Sequence, residues 1–472
     1  MPITRKFQFL FGVESSEGQA ATLGASNAVQ AYEPQLSGGP SFDDRTPTGA
    51  SLSRGPKSIG RDEGEFTCKT DFRGSGDTSD PITEPDWGVL GKCSGLVAFT
   101  PSSVAVGAPS SGTGIQFGEI VFTGATRGVV IGLLDSGVPV DQLTGAGTLI
   151  LAMLTSGEFA TADTLEGESS GTQADATGDS AAYAGVAYKP TSRKLFNIVT
   201  AAACAAAVDE IVTFERAGIF VGAAQVVVNN GAFTDVDMSL IEGNVAQGDT
   251  VRAADGVSTT TISAPGPVQT ETTSGTAQFN EDGEQSQLLG SRTSWSLDGE
   301  AGGPLQFTWT MRGNPTTPVD ASPVATTGLG TITAPNFRGA ICSYAYNSQI
   351  HRLSTKSLSF TNGGQIEDNL DANAVSGANG SDVVDRAPVI STTVDRTHSA
   401  FPWRTLQREG TNVRVAYMLG TTPGNIVGIV APKCQVEGVQ RSDSNGKMTW
   451  DLQLNPLKVL EQGDDDFYLV QL

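Results

Sequence analysis

Histidine is nearly missing from this 472-residue chain, which has only His351 and His398. Neither has a ligand-like neighbour three or four residues further on, so the helical metal-site spacing is not met and each reads as an ordinary strand or loop residue. Cysteine is almost as sparse. Cys68, Cys93, Cys204, Cys342 and Cys434 are scattered, odd in number and form no CxxC, which excludes a disulfide framework or zinc ribbon and points to reduced, mostly buried thiols folded in a cytosolic environment. Charged residues are only 17%, against a usual ~25%. No Lys/Arg cluster stands out, and 51 acidic against 29 basic residues give a net charge of -22. Gripping phosphates requires a stripe of cations that displaces counterions, so an ordinary nucleic-acid binder is excluded. Long apolar runs are also lacking: VVIGLL and LILAML fall far short of the ~18 residues of a membrane helix. The opening MPITRKFQFLFGVESSEG has too short an apolar run before its first acid to predict a signal peptide.

Glycine, in contrast, is abundant at 57 residues, about 12% against a usual ~7%. Together with low charge this predicts a turn-rich β protein with a neutral Ser/Thr surface, long enough for two or more units. The clearest element is residues 291–313, SRTSWSLDGEAGGPLQFTWTMRG. Leu305, Phe307, Trp309 and Met311 alternate with Gln306, Thr308, Thr310 and Arg312, the period of two of a half-buried strand. Trp295 and Leu297 alternate with Ser294, Ser296 and Asp298, and the glycines between Gly299 and Pro304 supply the reversal. A hairpin with one apolar and one polar face follows. Trp295, Leu297, Phe307, Trp309 and, in a second alternating strand (Met448, Trp450, Leu452, Leu454), Trp450 are the expected core anchors.

The same period recurs at 64–76, with Phe66, Cys68, Thr70 and Phe72 opposite Thr67, Lys69, Asp71 and Arg73. Residues 34–60 and 362–380 show no periodicity and read as long loops or arms. Residues 86–99 read as a short helix or strand, 335–361 as two or three strands, and the alanine run at 200–210 as a short helix. From about 115 to 270 the chain is Gly/Ala/Thr-rich with weak repetition at 118–130, 165–178 and 241–256, which predicts a small β domain built from hairpins.

Residues with possible chemistry are few. Gly167-Glu168-Ser169-Ser170-Gly171 satisfies GxSxG, but a nucleophile elbow needs a buried strand before it and a helix after it, and the flanks are small and polar. A glycine turn is the expectation. Asp368, Asp371 and Asp382 lack calcium-loop spacing. Asp464, Asp465 and Asp466 read as a solvated charge run or a charged contact with a neighbour, and GEAGG at 299–303 joins two strands rather than a strand and a helix. No metal, cofactor or catalytic residue is expected.

Several motifs resemble the major tail tube proteins of long, non-contractile-tailed (siphovirus-like) bacteriophages. They are the early E-x-x-x-G, the strand end DFRGSG with Asp71 in the acidic place, the Cys93/Gly95 pair, YKPTSR, the hairpin followed by MRGNPTTP, and DRAPVIS. The resemblance implies an all-β fold with one or two short helices, in which two packed antiparallel sheets build a shared inner β-barrel in a hexameric ring. It divides the chain into tube core at 1–115, 181–199 and 273–472, with an inserted small β domain in two pieces, 116–180 and 200–272. It further implies stacked homohexameric rings in the virion tail, folded in the host cytoplasm. The partners would be the tape measure, tail terminator and distal tail proteins, with genome DNA passing through unbound. An acidic or neutral wall suits that passage, because it repels a moving polyanion. Ser294, Ser296, Asp298, Gln306, Thr308, Thr310 and Arg312 are the candidate lumen-lining residues. The alternative is a β-rich tail fibre, decoration or adhesin-like protein binding a host glycan or receptor, for which exposed loop aromatics would be the sign. Aromatics are 7% and lie mostly on strand-like stretches.

Overall fold

The computed structural model describes the chain outside residues 1–6, 16, 44–56, 79–82, 113, 125, 156–157, 192–193, 201–210, 217–218, 230–234, 244–247, 253–258, 269–272, 325–331, 348, 371, 373–377, 396–400, 445 and 461–463. The described residues are mostly strands in antiparallel sheets, with two short α-helices. Eight strands form a polar-faced sheet: β1 (Tyr32–Asp43), β2 (Ser58–Asp71), β3 (Glu284–Glu300), β4 (Gln306–Pro315), β5 (Thr355–Thr361), β6 (Val389–Asp395), β7 (Val427–Ser444) and β8 (Lys447–Pro456). Their order is β1-β2-β4-β3-β5-β6-β8-β7.

A middle sheet lies behind it. The first part of β7 pairs there with Val413–Leu419 and Tyr468–Gln471, and Ile341–Tyr346, Gln349–Arg352, Val186–Pro190 and Leu96–Phe99 extend the ladder. Between the two sheets lies an apolar core that contains Phe66, Trp295, Phe307, Trp309, Phe360, Trp450, Tyr344 and Tyr417. Every residue of Val413–Leu419 is buried, because Val413, Val415, Tyr417 and Leu419 face this core while Ala416 and Met418 face a second one. A third sheet covers that second core, built mainly from Ser102–Val106, Ile120–Thr123, Thr126–Asp135, Gly147–Met153 and Thr164–Gly167. Burying each large apolar side chain contributes roughly 1.5–3 kcal/mol.

The helices plug the first core. α1 (Asp86–Lys92) inserts Trp87 and Leu90, with Asp86 at its N-terminal and Lys92 at its C-terminal end, matching the helix dipole. Gly88 is required there, since an added Cβ would lie 2.0 Å from the Tyr188 hydroxyl. α2 (Trp403–Glu409) buries Trp403 and Leu406 and ends at Gly410, whose φ of 65° gives the left-handed C-cap.

Several expectations need correction. The loop expected at 34–60 is largely strand: β1 pairs with β2 through register shifts near Tyr32 and Pro40, and only 44–56 lies outside the described residues. Residues 362–380 are not simply a turn, since Gln365–Leu370 and Ala378–Asp385 form a separate hairpin. The single core strand expected at 181–199 is divided among three sheets: Ala181–Ala182 joins the third sheet, Val186–Pro190 the middle sheet, and Lys194–Thr200 a closed six-stranded barrel. The residues expected to form one inserted domain in two pieces lie instead in two units. The first, from Ser102 to Ala182, shares a core with the middle sheet, and the second is the barrel of strands between Lys194 and Val268. Of the alanine run, Thr200 ends a strand and 201–210 lies outside the described residues. Met448 is 52% exposed rather than core, because it sits beside the β7–β8 turn, beyond the reach of the opposite sheet. Arg73 is buried rather than on the polar side, since β2 ends at Asp71 and the chain turns inward.

Candidate functional site

The hairpin of β3 and β4 forms with the expected apolar and polar faces. Ser294 stands opposite Thr310, Trp295 opposite Trp309, Ser296 opposite Thr308, Leu297 opposite Phe307, and Asp298 opposite Gln306. Trp295, Leu297, Phe307 and Trp309 are buried, as is Trp450 on β8. Ser294, Ser296, Gln306, Thr308 and Thr310 are half-buried, and Asp298 and Arg312 are exposed. Trp309 also hydrogen-bonds within the core, its indole N–H donating to Thr70 Oγ1 at 2.8 Å. The guanidinium carbons of Arg404 and Arg441 lie 5.1 and 5.7 Å from the Trp450 ring centre, within cation–π range.

The register carries this polar face well beyond the hairpin. Gln306, Thr308, Thr310 and Arg312 stand opposite Asp71, Lys69, Thr67 and Glu65. On the other side Asp298 and Ser296 oppose Ser359 and Thr361, Ser359 opposes Ser391, and Ser391 and Thr393 oppose Gln453 and Asp451. Directly opposed residues point to the same side of a sheet, so one polar surface crosses from β2 to β8. Its carboxylates are nearly all held by neighbours. Asp71 accepts from Gln306 Nε2 at 2.9 Å, Asp298 from Ser296 and Ser359, Asp451 from Thr393 at 2.8 Å, and Glu65 pairs with Arg312 at 3.0 Å. Glu437 of β7 accepts from Gln453 and Asn455 at 3.0 and 2.7 Å. Among these residues carboxylates outnumber the two cations, Lys69 and Arg312. Both margins are open: among the described residues β1 pairs only with β2, and the part of β7 beyond Val436 pairs only with β8.

Three buried ionic sites brace the strands behind this face, and the alternation of residues gave no sign of them. Arg73 pairs with Asp86 at 2.7 Å and donates to the Ile332 carbonyl, while Trp87 donates to the Arg73 carbonyl. Arg292, nearly inaccessible, donates to the Ser381 carbonyl at 2.6 Å and lies 3.3 Å from Asp382 and 3.5 Å from Glu17. Burial raises the Glu17 carboxyl above its ordinary range, against the pull of Arg292. Glu14, from the early E-x-x-x-G, accepts from the Gly18 and Gly290 amides and from the Ser274 and Thr276 hydroxyls. The closing acids are likewise not a solvated run. Asp465 and Asp466 are buried: Asp465 accepts from the amides of Val459 and Leu460, and Arg386 reaches Asp464 and Asp466.

The remaining motifs resolve into local structure. GESSG is a turn between the strands Thr164–Gly167 and Gln173–Asp175, so no helix follows the serine as in an elbow. Ser169 donates to Glu119 and accepts from Arg414 Nη1 at 2.6 Å. Asp368 is held by Arg61 and Ser381, Asp382 by Arg292, and Asp371 lies outside the described residues. His351 is half-buried and stacks on Tyr346, and burial lowers its pKa; His398 lies outside the described residues. Cys68, Cys93, Cys342 and Cys434 are free thiols, and burial pushes Cys93 up to about 12 and Cys342 to about 11. Among the described residues no group of three or more His, Cys, Asp or Glu is placed to hold a metal, and no helix is long and apolar enough to cross a membrane. No protein-family model matches the chain, and no curated protein matches it.

Proposed function

We propose that this chain is a structural subunit of a phage tail tube, in which copies join side by side into hexameric rings and the rings stack into a conduit for genome DNA. The observation that carries the reading is the uninterrupted polar face from β2 to β8, backed by a full apolar core and bounded by two open strand edges. Open edges are an aggregation hazard unless another chain covers them, and closed rotational symmetry covers both at once. In this reading β1 of one copy meets the outer part of β7 of the next. The lumen is lined by Ser294, Ser296, Asp298, Gln306, Thr308, Thr310 and Arg312 with their neighbours on β2, β5, β6 and β8.

The chemistry of such a wall is passive. Hydroxyls and amides hydrate the passage, and carboxylates in excess repel phosphate. The hairpin of β1 and β2 and the hairpin within 365–385 are the candidate contacts between rings. The tape measure, tail terminator and distal tail proteins are the partners this reading assigns. Electron microscopy of the purified protein across a range of concentrations tests it. Six-fold rings or hollow tubes with Ser296 and Thr308 facing the bore are expected. Rings whose bore is lined by another face overturn the lumen assignment, and threefold elongated particles overturn the tube in favour of a fibre.

A further inference from the structure

We infer that the cleft between the third sheet and the middle sheet is a binding site for a carboxylate group. This cleft, of about 370 Å³, is lined by Arg127, Glu168 and Ser169 on one side and by Asn412, Arg414 and Lys433 on the other. Three cations thus meet one carboxylate in a chain whose net charge is -22. Arg414 is the telling residue. It is only 8% exposed, yet its guanidinium hydrogen-bonds to neutral oxygens, Ser169 Oγ at 2.6 Å and Gln116 Oε1, and among the described residues its Nε has no partner. The nearby Glu119 carboxylate attracts Arg414 across the Ser169 hydroxyl, but its oxygens are committed elsewhere, accepting from the amides of Gln116, Ser169 and Ser170 at 2.9, 3.1 and 2.6 Å. Among the described residues no carboxylate lies within ion-pair distance of Arg414.

A buried cation ordinarily has an anionic partner, because desolvation is costly and hydrogen bonds to neutral groups return only part of it. Lys433 adds to the imbalance, since among the described residues its ammonium has no hydrogen bond or ion pair. Arg127 reaches Glu168 only at 3.9 Å, with both side chains largely in water. The planar guanidinium fork of arginine fits a carboxylate, and an ammonium beside it adds an unspecific point charge. The cleft admits a small free carboxylate or one acidic side chain of a second copy. Only the second source rests on the assembly proposed above.

Citrate is the probe. It is titrated calorimetrically into the whole chain at low salt and at concentrations where the chain is monomeric, then into Lys433→Glu and Arg127→Glu, each checked for an unchanged thermal transition. Lys433→Gln replaces Lys433→Glu if the latter does not fold. Saturable citrate binding that weakens about tenfold or more in the variants supports a free carboxylate. No citrate binding, with self-association weakened about tenfold by Lys433→Glu in sedimentation, supports a carboxylate from a neighbouring copy. Neither effect overturns the inference, and if Lys433→Glu still forms tubes the tube reading stands. Citrate binding by a chain that never forms rings or tubes has the converse meaning.

Discussion

Replacing Trp309 by Phe and Thr70 by Val, singly and together, measures whether β2 and β4 pair in the register that creates the polar face. Trp309 is fully buried and its N–H donates to the buried Thr70 hydroxyl at 2.8 Å. Thr70→Val is nearly isosteric and leaves the indole N–H unpaired, at about 1–3 kcal/mol. Trp309→Phe leaves the hydroxyl unpaired and opens space between Phe307 and Trp295, so it costs about 2–4 kcal/mol. The double variant has neither orphan, so its cost falls below the sum by about 1–2 kcal/mol. All five tryptophans belong to the core between the polar-faced and middle sheets, so tryptophan fluorescence during denaturant unfolding reports this unit selectively. Costs that add to within about 0.3–0.5 kcal/mol refute the hydrogen bond. They would also refute the register: a slip by one residue turns every side chain of the strand to the opposite face, and the face assigned to the lumen would then be the wrong one. Trp309→Asp, which places a charge in the same site, is expected to prevent folding.

Two further outcomes follow from the buried ionic sites. Asp86→Ala removes the carboxylate paired with the Arg73 guanidinium, whose side chain is 7% exposed. The expected loss is about 2–3 kcal/mol by chemical denaturation, below the ~3–5 of a fully enclosed pair because water reaches Asp86; a loss under ~0.5 kcal/mol would show that the pair does not hold α1. At Asp466 burial raises the carboxyl pKa, with Arg386 opposing and Asp464 and Asp465 adding to the rise. A carboxyl with a raised folded pKa contributes most when protonated, below its unfolded pKa, and that contribution is lost as pH rises through the folded value. Asp466→Asn should therefore melt higher than the parent at pH 7, with the gap closing as pH falls through the raised folded value and gone below the ordinary carboxylate value. A gap that widens toward acid would reverse the sign of this argument.

What the sequence made legible follows from where each strand lies. β4 has core on one side and water on the other, so Phe307, Trp309 and Met311 alternate visibly with Thr308, Thr310 and Arg312. Val413–Leu419 is covered on both faces, and a strand covered on both sides loses the alternation that would orient it. The third layer was hidden for that reason. β1 resembles a loop in sequence because it is an edge strand with Gly38 and Gly39 at φ of 119° and 145°, and glycines within a strand blur its alternation. Arg73, Arg292 and Arg414 were illegible for a different reason. A buried arginine is fixed by partners distant in sequence, 89 residues away for Arg292 and Ser381 and 245 for Arg414 and Ser169, and spacing along one chain carries no trace of that.

The polar face and the cleft differ in how their charges are satisfied, and that difference is the basis for giving them opposite roles. On the face, Asp71, Asp298, Asp451 and Glu437 each accept hydrogen bonds from neutral side chains beside them. Those donors hold the carboxylates in place without neutralising them, so the surface keeps its negative potential over about one Debye length, ~8 Å at physiological salt. A polyanion near it is repelled, and the cations of the face, Lys69 and Arg312, are already paired with Glu33 and Glu65. In the cleft, among the described residues, the buried Arg414 has an Nε without a hydrogen bond and the half-buried Lys433 has no ion pair. An anion arriving there regains hydrogen bonds that the protein alone does not make. The Ser, Thr and Gln residues of the face therefore matter more than its formal charge, since exchanging them for Lys would create on β3 and β4 the vacant donors that the cleft already has.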